Sequence, residues 1–429
     1  MPKLTSSLLL STFNILKDTN KRKSFFYILI RGVSVISNYI FSILIISLFS
    51  KEEYGFFVFG LSLFMMLSVL TKFGVDVHFV KVFSKLKNKE VPNWIKTVEL
   101  KVFSRSFLIA VALSVILYLF RDNFESWYVL VLFVLSAPIY VAVLINSGKL
   151  RGVSKISKFA FLNIAGRILL SLCLFVILFY GFSLNSYFTI YFSHFLSVFL
   201  LLLLSIYWKR QIFISSKNKS KVIPVGFLKY NRALMIKSYI TVLFLWGDRF
   251  FLSLICSPGE VAEYDVSLKI AMLLMIVIEA LKSTYASVFA KNINDHKILN
   301  NQIRKSTRLG FLFSSAMFFL VVLFGKALLL LFGSEFVDSY TTLLIISSGY
   351  LIASFFGQAD NVLEMCGLAN HFIKPYFIII IISLATGALL SLCFGSIGMA
   401  IGFAFGNVFF QLSAYLIVKS QIGLKTSFL

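Results

Sequence analysis

The residues with chemistry to offer in this chain are ionisable side chains set inside long apolar stretches. Arg31, Arg167, Lys237, Arg249 and Lys269 carry positive charge there, and Asp248, Glu279, Asp360 and Glu364 carry negative charge. Holding such a group in hydrocarbon costs at least about 2.5–3.5 kcal/mol on insertion scales, so it seeks a partner, water or the interior of a helix bundle. The set leans cationic, which suits an anionic ligand and above all a phosphate or diphosphate. Arginine grips such a group through forked hydrogen bonds, whereas lysine acts as a point charge. Glu279 and Lys282 stand three apart on one helix face and read as a structural pair. Blander roles are open to the others. Arg31, Lys269 and Lys282 are placed to snorkel toward headgroups, Asp248 with Arg249 to orient a helix end, and Asp360 with Glu364 to face water.

No catalytic constellation accompanies these charges. The chain has no H-E-x-x-H, no P-loop and no G-x-S-x-G. His78, His194, His296 and His371 are scattered, and Cys173, Cys256, Cys366 and Cys393 form no CxxC, so neither a zinc site nor a disulfide framework is indicated.

The elements that position the charges are membrane spans. Of 429 residues, 59% are hydrophobic, 49 are phenylalanine and only 14% are charged, against roughly 25% charged in soluble domains. A helix needs about 20 apolar residues to cross a bilayer. Twelve stretches qualify, at roughly 24–49, 54–74, 102–120, 127–147, 159–180, 186–207, 226–256, 262–289, 309–332, 340–365, 373–393 and 399–418. Lysine and arginine concentrate in every second connecting segment, 27 against 2 in the others, which places both termini in the cytoplasm. The net charge of +23 is therefore read as a topology signal and an attraction to anionic lipids, with no nucleic-acid partner.

The outer loops are short, such as Ser257–Val261, and leave no room for a soluble catalytic domain. The expected organisation is a cytoplasmic segment 1–23, an N-lobe 24–207, a basic linker 208–225, a C-lobe 226–418 and a cytoplasmic tail 419–429. Two six-helix bundles of this kind commonly form a transporter.

Several short motifs in order carry a family resemblance. They are Arg31-Gly32; Glu53-Tyr54-Gly55; Phe73-Gly74-Val75-Asp76; Lys149-Leu150-Arg151-Gly152 with Asn163 and Arg167; and Gly247-Asp248-Arg249-Phe250-Phe251 followed by Ser257-Pro258-Gly259-Glu260-Val261-Ala262-Glu263-Tyr264. Phe332-Gly333 with Glu335-Phe336, and Gly395-Ser396-Ile397-Gly398-Met399-Ala400-Ile401-Gly402, complete the series. Gly259, Ala262, Met399 and Gly402 depart from the usual pattern. In this series the chain resembles the polysaccharide flippases of the multidrug/oligosaccharidyl-lipid/polysaccharide exporter superfamily, which translocate O-antigen and capsule repeat units.

The resemblance implies an all-α integral membrane protein of the MATE-like type, with twelve transmembrane helices in two six-helix lobes, V-shaped and working by alternating access. It implies a non-enzymatic flippase in the bacterial inner membrane that moves undecaprenyl-diphosphate-linked oligosaccharide to the periplasmic leaflet, in transient contact with polysaccharide polymerase machinery. The diphosphate would meet Arg31, Arg167, Lys237, Arg249 and Lys269. No cofactor is implied beyond the proton or sodium coupling of some relatives, for which Asp248, Asp360 and Glu364 are the positions to test. The alternatives are a multidrug cation exporter of the same superfamily and a membrane-embedded glycosyltransferase or polymerase.

Overall fold

Apolar helices with few internal breakers dominate the computed structural model, which describes residues 19–85, 90–121, 127–184, 186–215, 227–293 and 295–428. Residues 1–18, most of the expected linker, and Lys3, Lys17, Lys87, Lys89, Lys217, Lys219 and Lys221 of the basic segments lie outside them. The helices are α1 (Thr19–Leu48), α2 (Lys51–Thr71), α3 (Val75–Ser84), α4 (Asn93–Leu119), α5 (Trp127–Gly152), α6 (Ile156–Gly181), α7 (Phe188–Ile212) and α8 (Phe227–Ile255). They continue as α9 (Pro258–Ala271), α10 (Met275–Lys291), α11 (His296–Leu330), α12 (Tyr340–Phe355), α13 (Ala359–Met365) and α14 (Ala369–Ile422). A two-residue parallel pairing, β1 (Glu90–Val91) with β2 (Ile214–Ser215), is the only sheet among the described residues.

Ten stretches among the described residues are long and apolar enough to cross a membrane. Their faces behave as lipid requires. In α2 and α5, 67% of the apolar window is buried, against 17% in α4, whose Leu100, Phe107, Leu108 and Leu119 are exposed. Water would penalise such a row of bare side chains, whereas hydrocarbon does not, and the helices satisfy their own backbone groups. The expected span at 262–289 is not among the ten. A 3₁₀ turn at Met272–Leu274 separates α9 from α10, and the segment carries Lys269, Glu279 and Lys282.

The last stretch holds two limbs. Gly395, at φ 54° and ψ −131°, reverses α14, and Gly402 lies so close to Gly387 that a Cβ there would fall 2.4 Å from its Cα. Ser383 Oγ ties the limbs by donating to the Gly402 carbonyl at 2.7 Å.

The chain divides into two compact units. One holds Leu63–Tyr239 with the residues up to Leu44, the other Ile45–Ser62 and Ile240–Leu429. This differs from a boundary in the 208–225 linker. Residues 45–62 join the second unit because Gly55 abuts the Pro258 carbonyl and Tyr54 bonds to α9. The first half of α8 joins the first unit, since Tyr239 Oη donates to the Leu70 carbonyl at 2.7 Å and Asn231 Nδ2 to the Phe73 carbonyl.

Within the first unit, α5 packs against α3, α4 and α7. Gly148 permits this, because a Cβ would fall 2.3 Å from the Asp76 carbonyl oxygen on α3. An apolar cluster of Val75, Phe79, Phe83, Ile95, Val98, Val102, Val141 and Ile145 fills the contact. Within the second, Phe289, Leu299, Ile303, Val362, Leu363, Phe372, Ala414 and Val418 form the corresponding core.

At Gly395 a side chain meets a glycine-only backbone conformation, which costs about 1–3 kcal/mol, and its Cβ would fall 1.7 Å from Glu260 Oε1. Gly395→Val is expected to lower the melting temperature of the detergent-solubilised protein by several degrees. An unchanged melting curve contradicts the hairpin.

Candidate functional site

The densest polar cluster lies in the second unit and is built by α2, α8 and α9. Ser257 caps α9 through a capping box with Glu260, and Pro258 occupies the first turn. This fixes the start of α9, so Tyr264, Asp265 and Lys269 follow at set angles. Lys51 pairs with Glu263, and Ser396 Oγ bonds to the same carboxylate at 3.3 Å. Deeper, Asp265 receives Arg249 Nε at 2.7 Å, Tyr54 Oη at 2.7 Å and Lys269 Nζ at 2.6 Å. Lys269 also contacts Tyr54 Oη. Asp248 accepts from Tyr264 Oη at 2.8 Å and from the Arg249 backbone N–H at 2.7 Å, while Arg249 Nη1 reaches the Leu245 carbonyl at 2.8 Å. Asp248, Arg249 and Asp265 are buried.

Two carboxylates balance two cations here. The charges of Arg249 and Lys269 are thus taken up inside their own unit. Removing one member of such a set is costly because it strands the others in a low-dielectric interior. Asp248 also borders a gap of about 20 Å³ between α8 and α14, room for one water molecule.

A second ion cluster joins α10 to α13. Lys282 Nζ bonds to Asp360 Oδ2 at 2.7 Å and lies 3.7 Å from Glu279. Asn361 Nδ2 donates to the Lys282 carbonyl at 3.0 Å and holds α13 against α10. Lys282 is therefore shared between Glu279 and Asp360. Glu364, one turn beyond Asp360, is exposed.

The first unit presents the opposite case in Arg167, which is buried at 7% exposure. A π-helical turn, Phe161–Ala165, immediately precedes it, and Ser34 Oγ takes up the Ile164 carbonyl at 3.1 Å. Such turns are frequent at functional positions. The guanidinium lies over the Phe64 ring, 5.8 Å from its centroid, and within reach of the Tyr140 hydroxyl. No carboxylate pairs with it among the described residues. Its neighbour His194 is 1% exposed, wedged between Phe64 at 4.7 Å and Phe133 at 4.6 Å, with neither ring nitrogen hydrogen-bonded among the described residues. Arg31 and Lys237 are exposed positions of the same unit.

Near the turn after α2, Lys72 and Asp76 pair at 2.7 Å. Burial holds the His78 imidazole below its ordinary pKa, with Lys81 acting in the same direction and the Asn231 hydrogen bond opposing both.

Asp265, Tyr54, Tyr264 and His194 are polar centres that the pattern of deep charges in the sequence does not single out. Asp265 had a usable signal in its i,i+4 spacing to Lys269. His194 had none, since one histidine in an apolar run looks like ordinary core.

Asp265→Asn is expected to destabilise the protein by about 3–5 kcal/mol by leaving Arg249 and Lys269 short of countercharge. Adding Lys269→Gln should recover part of that loss. A double-mutant cycle on thermal unfolding checks this, and strictly additive losses contradict the shared bridge.

The family model described as polysaccharide biosynthesis protein matches residues 21–291. No curated protein matches the chain in sequence. Among solved structures, an inward-facing multidrug resistance MATE family transporter of the MOP superfamily aligns with TM-score 0.66 at 16% identity, covering 93% of this chain and 94% of its own. A MOP superfamily transporter from Pyrococcus furiosus aligns with TM-score 0.64 at 16% identity, covering 94% and 95%. The lipid II flippase MurJ, in an inward closed conformation, aligns with TM-score 0.69 at 12% identity, covering 92% and 87%. These likenesses establish the fold. With well over half of its length matched by the family model, this multi-pass membrane protein belongs to the polysaccharide biosynthesis protein family and has the fold of the MOP superfamily transporters.

Proposed function

We propose that the protein is a flippase for a lipid-linked oligosaccharide, moving an undecaprenyl-diphosphate-linked repeat unit of O-antigen or capsule across the bacterial inner membrane. The observation that carries this reading is Arg167. Among the described residues it is a buried guanidinium without a carboxylate, whereas buried Arg249 is paired. An anion arriving from outside the protein supplies what Arg167 lacks, and a diphosphate matches its forked donors. Membership of a polysaccharide biosynthesis family supports the glycan, and the likeness to a lipid II flippase supports the lipid diphosphate.

In this reading the chain crosses the membrane twelve times. The two limbs of α14 and the α9–α10 segment complete the ten long apolar stretches. Both termini then face the cytoplasm, as the distribution of lysine and arginine requires. Where proton or sodium coupling is used, the carboxylates to take part in this reading are Asp248, which borders a water-sized gap, Asp360 and Glu364.

Deleting the gene in its host is expected to deplete surface polysaccharide and to leave lipid-linked repeat units facing the cytoplasm. Arg167→Ala should rescue poorly, with flipping reduced about tenfold or more from loss of a charged hydrogen bond. Arg167→Lys should retain an intermediate rate. Normal polysaccharide together with altered efflux of cationic dyes would overturn the proposal in favour of a drug exporter.

A further inference from the structure

Beside the break that ends α12, the second unit encloses a polar pocket with a volume of about 30 Å³. α10, α11, α12 and α14 contribute to its wall through Met275, Ser306, Tyr350, Ser354 and Gln411. Gln358, between α12 and α13, closes one side. We infer that this pocket holds a resident water molecule, which accepts from Gln358 Nε2, donates to Gln411 Oε1 and so ties α14 to the joint between α12 and α13.

Two stranded atoms require it. Gln358 is 3% exposed and Gln411 8%, and neither Gln358 Nε2 nor Gln411 Oε1 has a hydrogen-bond partner among the described residues. A buried polar atom left in that state forfeits the hydration it had in the unfolded chain. The orientation of Gln358 is set, since its Oε1 accepts from Asn361 Nδ2 at 3.2 Å. One stranded atom is thus a donor and the other an acceptor, on the wall of one pocket. A cation would satisfy Gln411 and oppose the Gln358 N–H, and an anion would do the reverse. Water satisfies both.

Space and further partners agree. A water needs roughly 10–15 Å³ of such room and two to four polar neighbours. Ser306 Oγ donates to the Ile303 carbonyl at 2.9 Å and Ser354 Oγ to the Leu351 carbonyl at 2.6 Å. Both hydroxyl hydrogens are spent there, so their oxygens are left to receive the second hydrogen of the water. The pocket is also closed from the end of the chain. Gly357 has no room for a Cβ, which would fall 2.2 Å from Thr307 Oγ1 and 2.4 Å from the Thr426 carbonyl oxygen. Thr307 Oγ1 donates to that carbonyl at 2.9 Å, and buried Thr426 donates through Oγ1 to the Phe356 carbonyl at 2.8 Å. From Gln358 the bonding continues through Asn361 to the Lys282 carbonyl at 3.0 Å, so the water heads the network that sets Lys282 against Asp360.

Pulsed hydroxyl-radical labelling of the detergent-solubilised protein, begun just after mixing into water enriched in the heavy oxygen isotope, tests this. Tyr350 lines the pocket and is 7% exposed, so a radical born of the resident water adds to its ring. Wild type is expected to show Tyr350 hydroxylated with ordinary oxygen at early times, while exposed Tyr128 carries heavy oxygen from the first point. Gln358→Leu/Gln411→Leu, which removes both stranded atoms, should abolish the ordinary-oxygen product. The wild-type result stands without the variant: a Tyr350 that stays unlabelled, or carries heavy oxygen from the first point, overturns the assignment. So does an unchanged ordinary-oxygen product in the double variant, or a thermal stabilisation by sodium over choline that the double variant loses, which would put a cation in the pocket instead.

Discussion

An ionised group removed from water must find an opposite charge or lose several kcal/mol, and the second unit is arranged around one answer to that demand. Asp265 accepts from Arg249, Lys269 and Tyr54 together, so that α2, α8 and α9 meet at one carboxylate. Asp248 closes the balance by accepting from Tyr264 and the Arg249 backbone. The arrangement fixes helix register in a setting where apolar packing between helices and lipid offers little directional preference. Lys282 does the same on a smaller scale between α10 and α13.

This neutrality makes Arg167 conspicuous. Phe64 and Tyr140 give the guanidinium a polarisable face and a hydroxyl, but no full countercharge. Partial satisfaction of this kind favours a site that is completed by an anionic ligand. Of five cations suited by type and depth to hold a diphosphate, two are committed to Asp265, and Arg167 is the buried one that is not.

Much of the architecture was legible in the sequence because hydropathy and the loop bias of lysine report directly on membrane crossing. The motifs were legible as motifs, but their work was not. Gly55, Gly148 and Gly395 serve close backbone approach and chain reversal, Ser257 to Glu260 cap a helix, and Lys149 holds Glu99. The partition into units was hidden because it follows from contacts distant in sequence, Tyr54 with Asp265 and Tyr239 with Leu70. The apparent cationic surplus arose because Asp265 sits in a helix of mixed polarity and was not counted among the deep charges. The isolation of Arg167 could not be read from residue type, since it depends on which side chains of α2, α5 and α7 surround it.

The most direct measurement is the affinity of purified protein for undecaprenyl diphosphate against undecaprenol, in wild type and Arg167→Gln. If Arg167 completes its charge with the lipid diphosphate, wild type prefers the diphosphate by about tenfold or more, and the variant loses most of that preference while still binding undecaprenol. Equal preference in the two proteins would contradict the account.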